Sequence, residues 1–173
     1  ENKNYGEVLQ DIVNEIGRRI GFNVENGRYA GVKNEIGYDG IWSSQKEDFV
    51  IEVKTTAAYT IKIDVPATYR DKLVEIGKIK KDSPILIIIG RDDTEALEAQ
   101  VRGSQYAWSV RIIGIEALIK LMEVNLSTSS KEVTEKIHTI LKPIEYTRID
   151  KIVDVIFSAS EDKDEIEELS DLN

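Results

Sequence analysis

Asp39 and the sequence Glu52-Val53-Lys54 contain the residues of this chain whose types and spacing are best suited to chemistry. Twelve residues separate Asp39 from Glu52, which stands near the end of an apolar run typical of a strand. Side chains alternate across a strand, so Glu52 and Lys54 share one face, about 7 Å apart, and Val53 points to the other. A carboxylate and an ammonium therefore meet at the end of a strand that otherwise suits burial.

A hairpin is predicted to bring Asp39 to the same place. Two predicted strands, Gly37 to Trp42 and Phe49 to Lys54, flank a polar turn. Antiparallel pairing would set Asp39 within about 5.5 Å of Glu52. Two carboxylates this close repel each other unless a cation lies between them, and Mg²⁺ prefers carboxylate, water and phosphate oxygens.

Phosphodiester hydrolysis is the chemistry that these side chains support. A bound divalent ion lowers the pKa of its water and so supplies a nucleophile near neutral pH. Lys54 can hold that water or neutralise the charge that develops on the phosphate. Gly40, directly after Asp39, is expected to leave room for a ligand.

Simpler interpretations exist for each part of this pattern. An isolated Glu-x-Lys on a strand is usually a solvent-facing ion pair of little energetic value, and Asp-Gly is a common turn dipeptide. The apolar neighbours of Asp39, the apolar face of the second strand and a helix upstream favour the catalytic interpretation. His138 stands among charged positions and is expected to be a solvated residue rather than a ligand.

The other predicted elements surround this hairpin with helices and further strands. A first helix ends at Gly21 and is expected to bury one stripe, formed by Val8, Leu9, Ile12, Val13, Ile16 and Ile20. A short strand and loop follow from Asn23. The predicted strands after the hairpin are Tyr59 to Val65, which stops at Pro66, the central strand Pro84 to Gly90, and Trp108 to Gly114. The predicted helices are Ala67 to Lys81, Asp92 to Gly103 and Ile115 to Val124. This order predicts an α/β sandwich around a mixed sheet.

The C-terminal third is predicted to be helical and then acidic. A capping box at Ser129 to Glu132 opens one helix, which stops at Pro143, and Thr147 to Ser160 forms another. The predicted organisation is a core over residues 1–125, a helical extension over 126–160 and a disordered or frayed acidic tail over 161–173.

Composition and charge narrow the class of protein. The chain is 41% hydrophobic, lacks Cys and has no apolar run long enough to cross a bilayer, which fits a soluble protein of a reducing cytoplasm with no membrane partner. Its net charge of −9 argues against a nucleic-acid partner. The tail from Glu161 to Asp171 contributes −6 of that charge, however, so the remainder carries only −3.

The motif residues resemble the PD-(D/E)xK nuclease superfamily, whose fold is that of the restriction endonucleases. The resemblance covers about residues 5 to 115 and rests on Asp39, the Glu52-Val53-Lys54 sequence and the upstream helix. It implies a four- to five-stranded mixed sheet flanked by helices, with C-terminal helices added. It also implies that Asp39, Glu52 and the Val53 carbonyl bind Mg²⁺, for which Mn²⁺ is expected to substitute, and that Lys54 is the catalytic lysine.

Two features differ from the family pattern. Tyr38 stands where members usually carry Pro, and Gln10 stands where many carry an acid on the first helix. Glu15 and Gln10 are therefore accessory candidates only, and a single-ion site is expected. Some members add a Gln and a Tyr on a later helix, for which the candidates here are Gln100, Gln105 and Tyr106.

The function implied by the resemblance is Mg²⁺-dependent DNA cleavage in prokaryotic restriction or defence, alone, as a homodimer or in a larger complex. An alternative is a nuclease-like module that binds nucleic acid or a protein partner without cutting. A third is an assembly domain whose helices after Ser127 form a dimer surface. Residues that would contact nucleic acid are predicted at Arg28, Tyr29, Lys62, Arg70 and Gln100.

Overall fold

A five-stranded mixed sheet forms the middle layer of the protein. The computed structural model describes residues 3–28, 36–55, 62–90, 95–142, 149, 150, 152, 153 and 156. In spatial order the strands are β1 (Asn23–Asn26), β2 (Gly40–Ser43), β3 (Asp48–Lys54), β4 (Ile85–Ile89) and β5 (Val110–Gly114). The first three strands pair antiparallel and the last three pair parallel. The predicted α/β class and the predicted hairpin are confirmed.

Helices cover both faces of this sheet. They are α1 (Lys3–Arg19), α2 (Asp64–Glu75), α3 (Glu95–Arg102), α4 (Ile115–Thr128) and α5 (Lys131–Ile140). One core contains apolar residues of α1, α4 and α5, and the other contains residues of α2 and α3. Helix α4 runs through the predicted domain boundary at residue 125. Among the described residues, no helix combines the length and apolarity needed to cross a membrane.

Strands β3 and β4 separate the two cores. Phe49 and Ile51 of β3 pack into the first core and Val50 into the second, as strand alternation requires. All five residues of β4 are buried, because helices lie on both faces of that strand. The prediction of a buried central strand is confirmed.

The stripe predicted for α1 is only partly buried. Leu9, Val13, Ile16 and Ile20 belong to the core. Val8 and Ile12 are instead 51% and 46% exposed, so their predicted burial is wrong. The reason is the helical repeat, because each of the two lies about 100° around the helix from the buried residue that follows it.

The strand predicted from Tyr59 to Val65 is wrong over its described part. Lys62 and Ile63 form a turn, and α2 already begins at Asp64. Pro66 stands in the first helical turn, where its missing N–H leaves no intrahelical bond unmade. Residues 59–61 lie outside the described residues.

Two predictions in the C-terminal third are also wrong. Ser129 is the left-handed C-cap of α4, with φ of 46°, and Ser130 begins α5 without a side-chain cap, so no capping box forms. His138 is 8% exposed, stacks on Phe22 and donates from Nε2 to the carbonyl oxygen of Ile20 at 2.7 Å. Its burial lowers the pKa of the imidazole, which stays neutral near pH 7. The acidic tail lies outside the described residues.

Candidate active site

The β2–β3 hairpin brings Asp39 beside Glu52. Gly40 pairs with Ile51, and the Asp39 N–H extends this ladder by donating to the carbonyl oxygen of Ile51 at 3.0 Å. Asp39 and Glu52 are therefore cross-strand neighbours. The Asp39 side chain also crosses to β3, where its Oδ2 accepts from the Val53 N–H at 2.6 Å. The predicted juxtaposition is present one residue before β2 begins.

Lys54 completes a group of three charged side chains at this edge of the sheet. Its Nζ lies 2.5 Å from Oε1 of Glu52. Both side chains stand on the face of the second core, but at the end of β3, where Lys54 is 34% exposed and Glu52 is 16% exposed. The group is half-buried and reaches solvent.

Burial and a neighbouring carboxylate together shift the pKa of Asp39. Burial and, to a smaller extent, the Glu52 carboxylate raise the pKa of Asp39 from 3.8 to about 6. The Val53 N–H and the Lys54 ammonium oppose this shift but do not cancel it. A carboxylate in such a place is stabilised by a cation more than an ordinary surface Asp would be.

The donor atoms fit a hard divalent cation with few protein ligands. The N–H and C=O groups of one strand residue point toward the same neighbouring strand. Because the Val53 N–H binds Asp39, the Val53 carbonyl also points to the side on which Asp39 lies. Within the described ranges no group of three or more His, Cys, Asp or Glu residues is placed to hold a metal. Two carboxylates and a carbonyl match Mg²⁺, which keeps several water or phosphate ligands, and they do not form a closed all-protein cage.

Of the residues that hold the Asp39 main chain, sequence reasoning named Gln10 as an accessory candidate but did not find Gly27 or Asn14. Its carbonyl oxygen accepts from the Gly27 N–H at 3.0 Å, from Gln10 Nε2 at 3.0 Å and from Asn14 Nδ2 at 2.9 Å. Asn14 and Gln10 are one helical turn apart on the inner side of α1. Two amide side chains on a buried helix face are the signal that could have revealed them.

Gly40 does not leave room for a ligand. A Cβ on Gly40 would lie 2.2 Å from Oδ1 of Asn14, so the space beside this residue is taken by α1. The expectation of ligand access at Gly40 is therefore wrong. The glycine is needed because helix and strand approach closely.

The accessory candidates on α1 are placed differently from each other. Glu15 stands on the exposed side, where it pairs with Arg18 at 3.6 Å and with Arg19 at 3.0 Å. It is not brought to the site. Gln10 is brought to it, but its amide binds the Asp39 main chain and not the carboxylate.

Few of the predicted nucleic-acid contacts lie near the site. The Arg70 guanidinium donates to the carbonyl oxygens of Ser83 and Lys81, just before β4 begins. The site lies where β3 ends, so Arg70 stands at the opposite end of these parallel strands. Gln100 is exposed late in α3, on the way to that same end. Arg28 and Lys62 are exposed beside β1 and α2, and Tyr29 lies outside the described residues.

Comparisons with protein-family models, with curated proteins and with solved structures found no match to this chain.

Proposed function

We propose that this protein is a metal-dependent nuclease with a restriction-endonuclease-like core, which hydrolyses DNA phosphodiester bonds with Asp39, Glu52 and Lys54. The observation that carries the proposal is the hairpin register that sets Asp39 beside Glu52, with Lys54 next to them. A mixed sheet whose antiparallel hairpin carries the acids, with a helix packed across them, further supports it. The role in prokaryotic restriction or defence follows from the family resemblance alone.

Asp39, Glu52 and the Val53 carbonyl would hold Mg²⁺, or Mn²⁺ in its place. When bound, the ion supplies electrophilic stabilisation to a phosphate oxygen and acidifies a water. The residues contribute the geometry: Asp39 is fixed on β3 through the Val53 N–H, and Glu52 is fixed by the strand itself. Their mutual repulsion makes the pair favourable for a cation and unfavourable alone.

Lys54 is the group that acts on the substrate. Its ammonium stands at the exposed side of the pair, where it can donate to a phosphate oxygen or to the attacking water. Its partner within the structure is Glu52. With the Glu52 carboxylate engaged by a cation, the Lys54 ammonium would be available to the phosphate.

The net negative charge of the chain repels the phosphates of DNA, so DNA binding needs positively charged residues near the site. Arg28 follows Gly27, whose N–H binds the Asp39 carbonyl, so it stands close to the site just after β1 ends. Lys62 is exposed just before α2. Arg28 and Lys62 are the proposed phosphate contacts because both are exposed, whereas the Arg70 guanidinium binds main-chain carbonyls at the far end of β4. With so few contacts, a shallow salt dependence is expected.

Plasmid cleavage tests the proposal directly. Wild-type protein with Mg²⁺ is compared with Asp39→Ala and Lys54→Ala, each of which should abolish cutting. Glu132→Ala and Lys136→Ala are matched controls, because they remove one carboxylate and one ammonium from an exposed ion pair on α5. Both controls should cut at the wild-type rate. Ca²⁺ should support DNA binding without cutting, since its looser coordination positions the water poorly.

Two outcomes would overturn the assignment. Cutting that survives both site variants comes from a contaminant. DNA retention without cutting in Mg²⁺ identifies the alternative, a module that binds nucleic acid and does not hydrolyse it.

A further inference from the structure

We propose that Asn14, oriented by Trp42, is a positioning residue that fixes the Asp39 carboxylate for metal binding through the Asp39 main chain. The effect of Asn14 on catalysis rests on the proposed nuclease function, whereas the effect of Asn14 on the position of Asp39 does not. Neither residue touches the carboxylates or the lysine through a described hydrogen bond, so the action is indirect.

The Asp39 carbonyl is bound more heavily than satisfaction requires. An oxygen of this kind has two lone pairs, yet it accepts from a main-chain N–H and from two side-chain amides. One ladder bond from Gly27 would already satisfy it in an ordinary strand. The added donors from Gln10 and Asn14 tie this peptide to α1.

Trp42 determines which way the Asn14 amide points. The indole N–H is a donor only, and it binds Oδ1 of Asn14 at 3.0 Å. The Nδ2 group of the same amide is then directed at the Asp39 carbonyl, 2.9 Å away. Asn14 is 1% exposed and Trp42 is 0% exposed, so water cannot replace either bond.

Two glycines make this arrangement possible. A Cβ on Gly17 would lie 2.4 Å from the Trp42 ring, and a Cβ on Gly40 would lie 2.2 Å from Asn14 Oδ1. The helix therefore approaches β2 closely at this point and leaves Asn14 little freedom to reorient. The buried polar chain is rigid for steric as well as hydrogen-bonding reasons.

The fixed peptide carries a fixed carboxylate. Asp39 is held at its carbonyl by α1, at its N–H by Ile51 and at Oδ2 by Val53. Loss of the Asn14 donor leaves only Gln10 and Gly27 on the carbonyl, which loosens the first of these attachments and lets the carboxylate move away from Glu52. Residues that orient metal ligands from behind typically change affinity or activity about 10- to 100-fold.

Substitution of Asn14 tests the proposal with readouts other than activity. In Asn14→Leu, Mg²⁺ affinity measured by calorimetry should fall at least about tenfold, and the Val53 amide proton should lose its hydrogen-bonded chemical shift in nuclear magnetic resonance spectra. Asn14→Asp keeps an acceptor for Trp42 but removes the donor, so it should be equally defective. If Asn14→Asp binds Mg²⁺ as the wild type does, the proposal is overturned.

Asn125→Leu is the matched control. Asn125 also joins helices through its amide, donating to the Arg19 carbonyl and accepting from Thr134, but it lies between α1, α4 and α5 away from the site. It should lose stability and keep wild-type Mg²⁺ affinity. Equal loss of affinity in both variants would show a general loss of structure and would contradict a positioning role.

The wild-type protein gives a measurement that needs no folded variant. On Mg²⁺ titration, the side-chain amide signals of Asn14 should shift with the same apparent constant as the Val53 amide. Unshifted Asn14 signals would contradict the proposal. If the wild type binds Mg²⁺ but cuts no DNA, the nuclease function is wrong and the positioning role stands. If the wild type binds no Mg²⁺, the nuclease function and the role of Asn14 in metal binding are both wrong. The Val53 amide signal of Asn14→Leu then still shows whether Asn14 fixes Asp39.

Discussion

The β2–β3 hairpin carries one aspartate at each end, Asp48 buried and Asp39 half-buried, and the charges around these two carboxylates have opposite signs. At the turn end, Asp48 is 8% exposed and accepts from the Lys80 N–H at 3.0 Å and from Lys80 Nζ at 3.1 Å. At the open end, Asp39 faces Glu52, and burial together with that carboxylate raises the pKa of Asp39 to about 6. One acid is compensated by a cation and the other is crowded by an anion.

This difference separates a structural charge from a functional one. A paired buried carboxylate can help to fix a fold, whereas a carboxylate set beside another costs stability until a ligand arrives. Around the turn end the other charges are paired as well, Lys46 with Glu135 and Lys142 with Glu47. Residue type alone does not distinguish the two ends, but the sign of the nearest neighbour does.

The largest expected effect is on catalysis. Asp39→Asn should lower the rate of Mg²⁺-dependent DNA cleavage by about 10³-fold, because it removes a charged metal ligand while the amide oxygen can still accept from Val53. Asp48→Asn should cut DNA at the wild-type rate. Cleavage is measured with supercoiled plasmid under single-turnover conditions. Equal losses in the two variants would show that Asp39 and Asp48 do not differ in their contribution to cleavage.

The sequence predicts the hairpin well because the signal is local. Strands β2 and β3 are joined by a short polar turn, and period-two alternation with pairing is sufficient to set Asp39 beside Glu52. The buried β4 was equally predictable, since its Ile-rich run suits a strand covered on both faces.

What the sequence could not supply depends on long-range contacts. The bond between Asn14 and the Asp39 carbonyl spans 25 residues, and that between His138 and Ile20 spans 118. Neither partner is indicated by spacing along the chain. The start of α2 was missed for a local reason, because Ile63 and Val65 suit a strand while Pro66 suits a first helical turn equally well.

A smaller effect is expected on stability in the absence of metal, with opposite signs at the two ends. At pH 8 in chelator, Asp39→Asn should raise the free energy of unfolding by about 1–3 kcal/mol, because it removes the repulsion and the burial cost of the charge. Asp48→Asn should lower it by about 1–3 kcal/mol, since Lys80 loses its partner. Urea unfolding followed by circular dichroism measures both.

The gain in Asp39→Asn should depend on pH in a defined window. Because the folded pKa of about 6 exceeds the usual value of 3.8, the folded protein binds this proton more tightly, and the wild type loses stability as pH rises between these two values. The advantage of the variant should therefore be complete above about pH 6 and absent below about pH 4. A gain that is constant from pH 4 to pH 8 would show that the Asp39 charge is not its cause.

Mg²⁺ should reduce the stability advantage of Asp39→Asn over the wild type. At ten times its dissociation constant, a ligand that binds only the folded state adds about 1.4 kcal/mol to the free energy of unfolding. Wild type and Asp48→Asn should show this gain, and Asp39→Asn should not. Thermal melts with and without Mg²⁺ at constant ionic strength provide the measurement, and a gain in Asp39→Asn would place the ion elsewhere on the protein.

The smallest effect is expected at the rim of the turn end. Lys46→Gln removes a fully exposed ammonium from its pair with Glu135, whose contact of 2.7 Å is short but open to solvent. Water and salt screen such pairs, so neither the melting temperature nor the cleavage rate should change measurably. Raising the salt concentration should likewise leave the difference between wild type and Lys46→Gln at zero. A clear loss of stability would mean that exposed ion pairs at the turn end do stabilise the hairpin. The two ends would then differ only in degree. The sign of the neighbouring charge would no longer be sufficient to distinguish a structural carboxylate from a functional one.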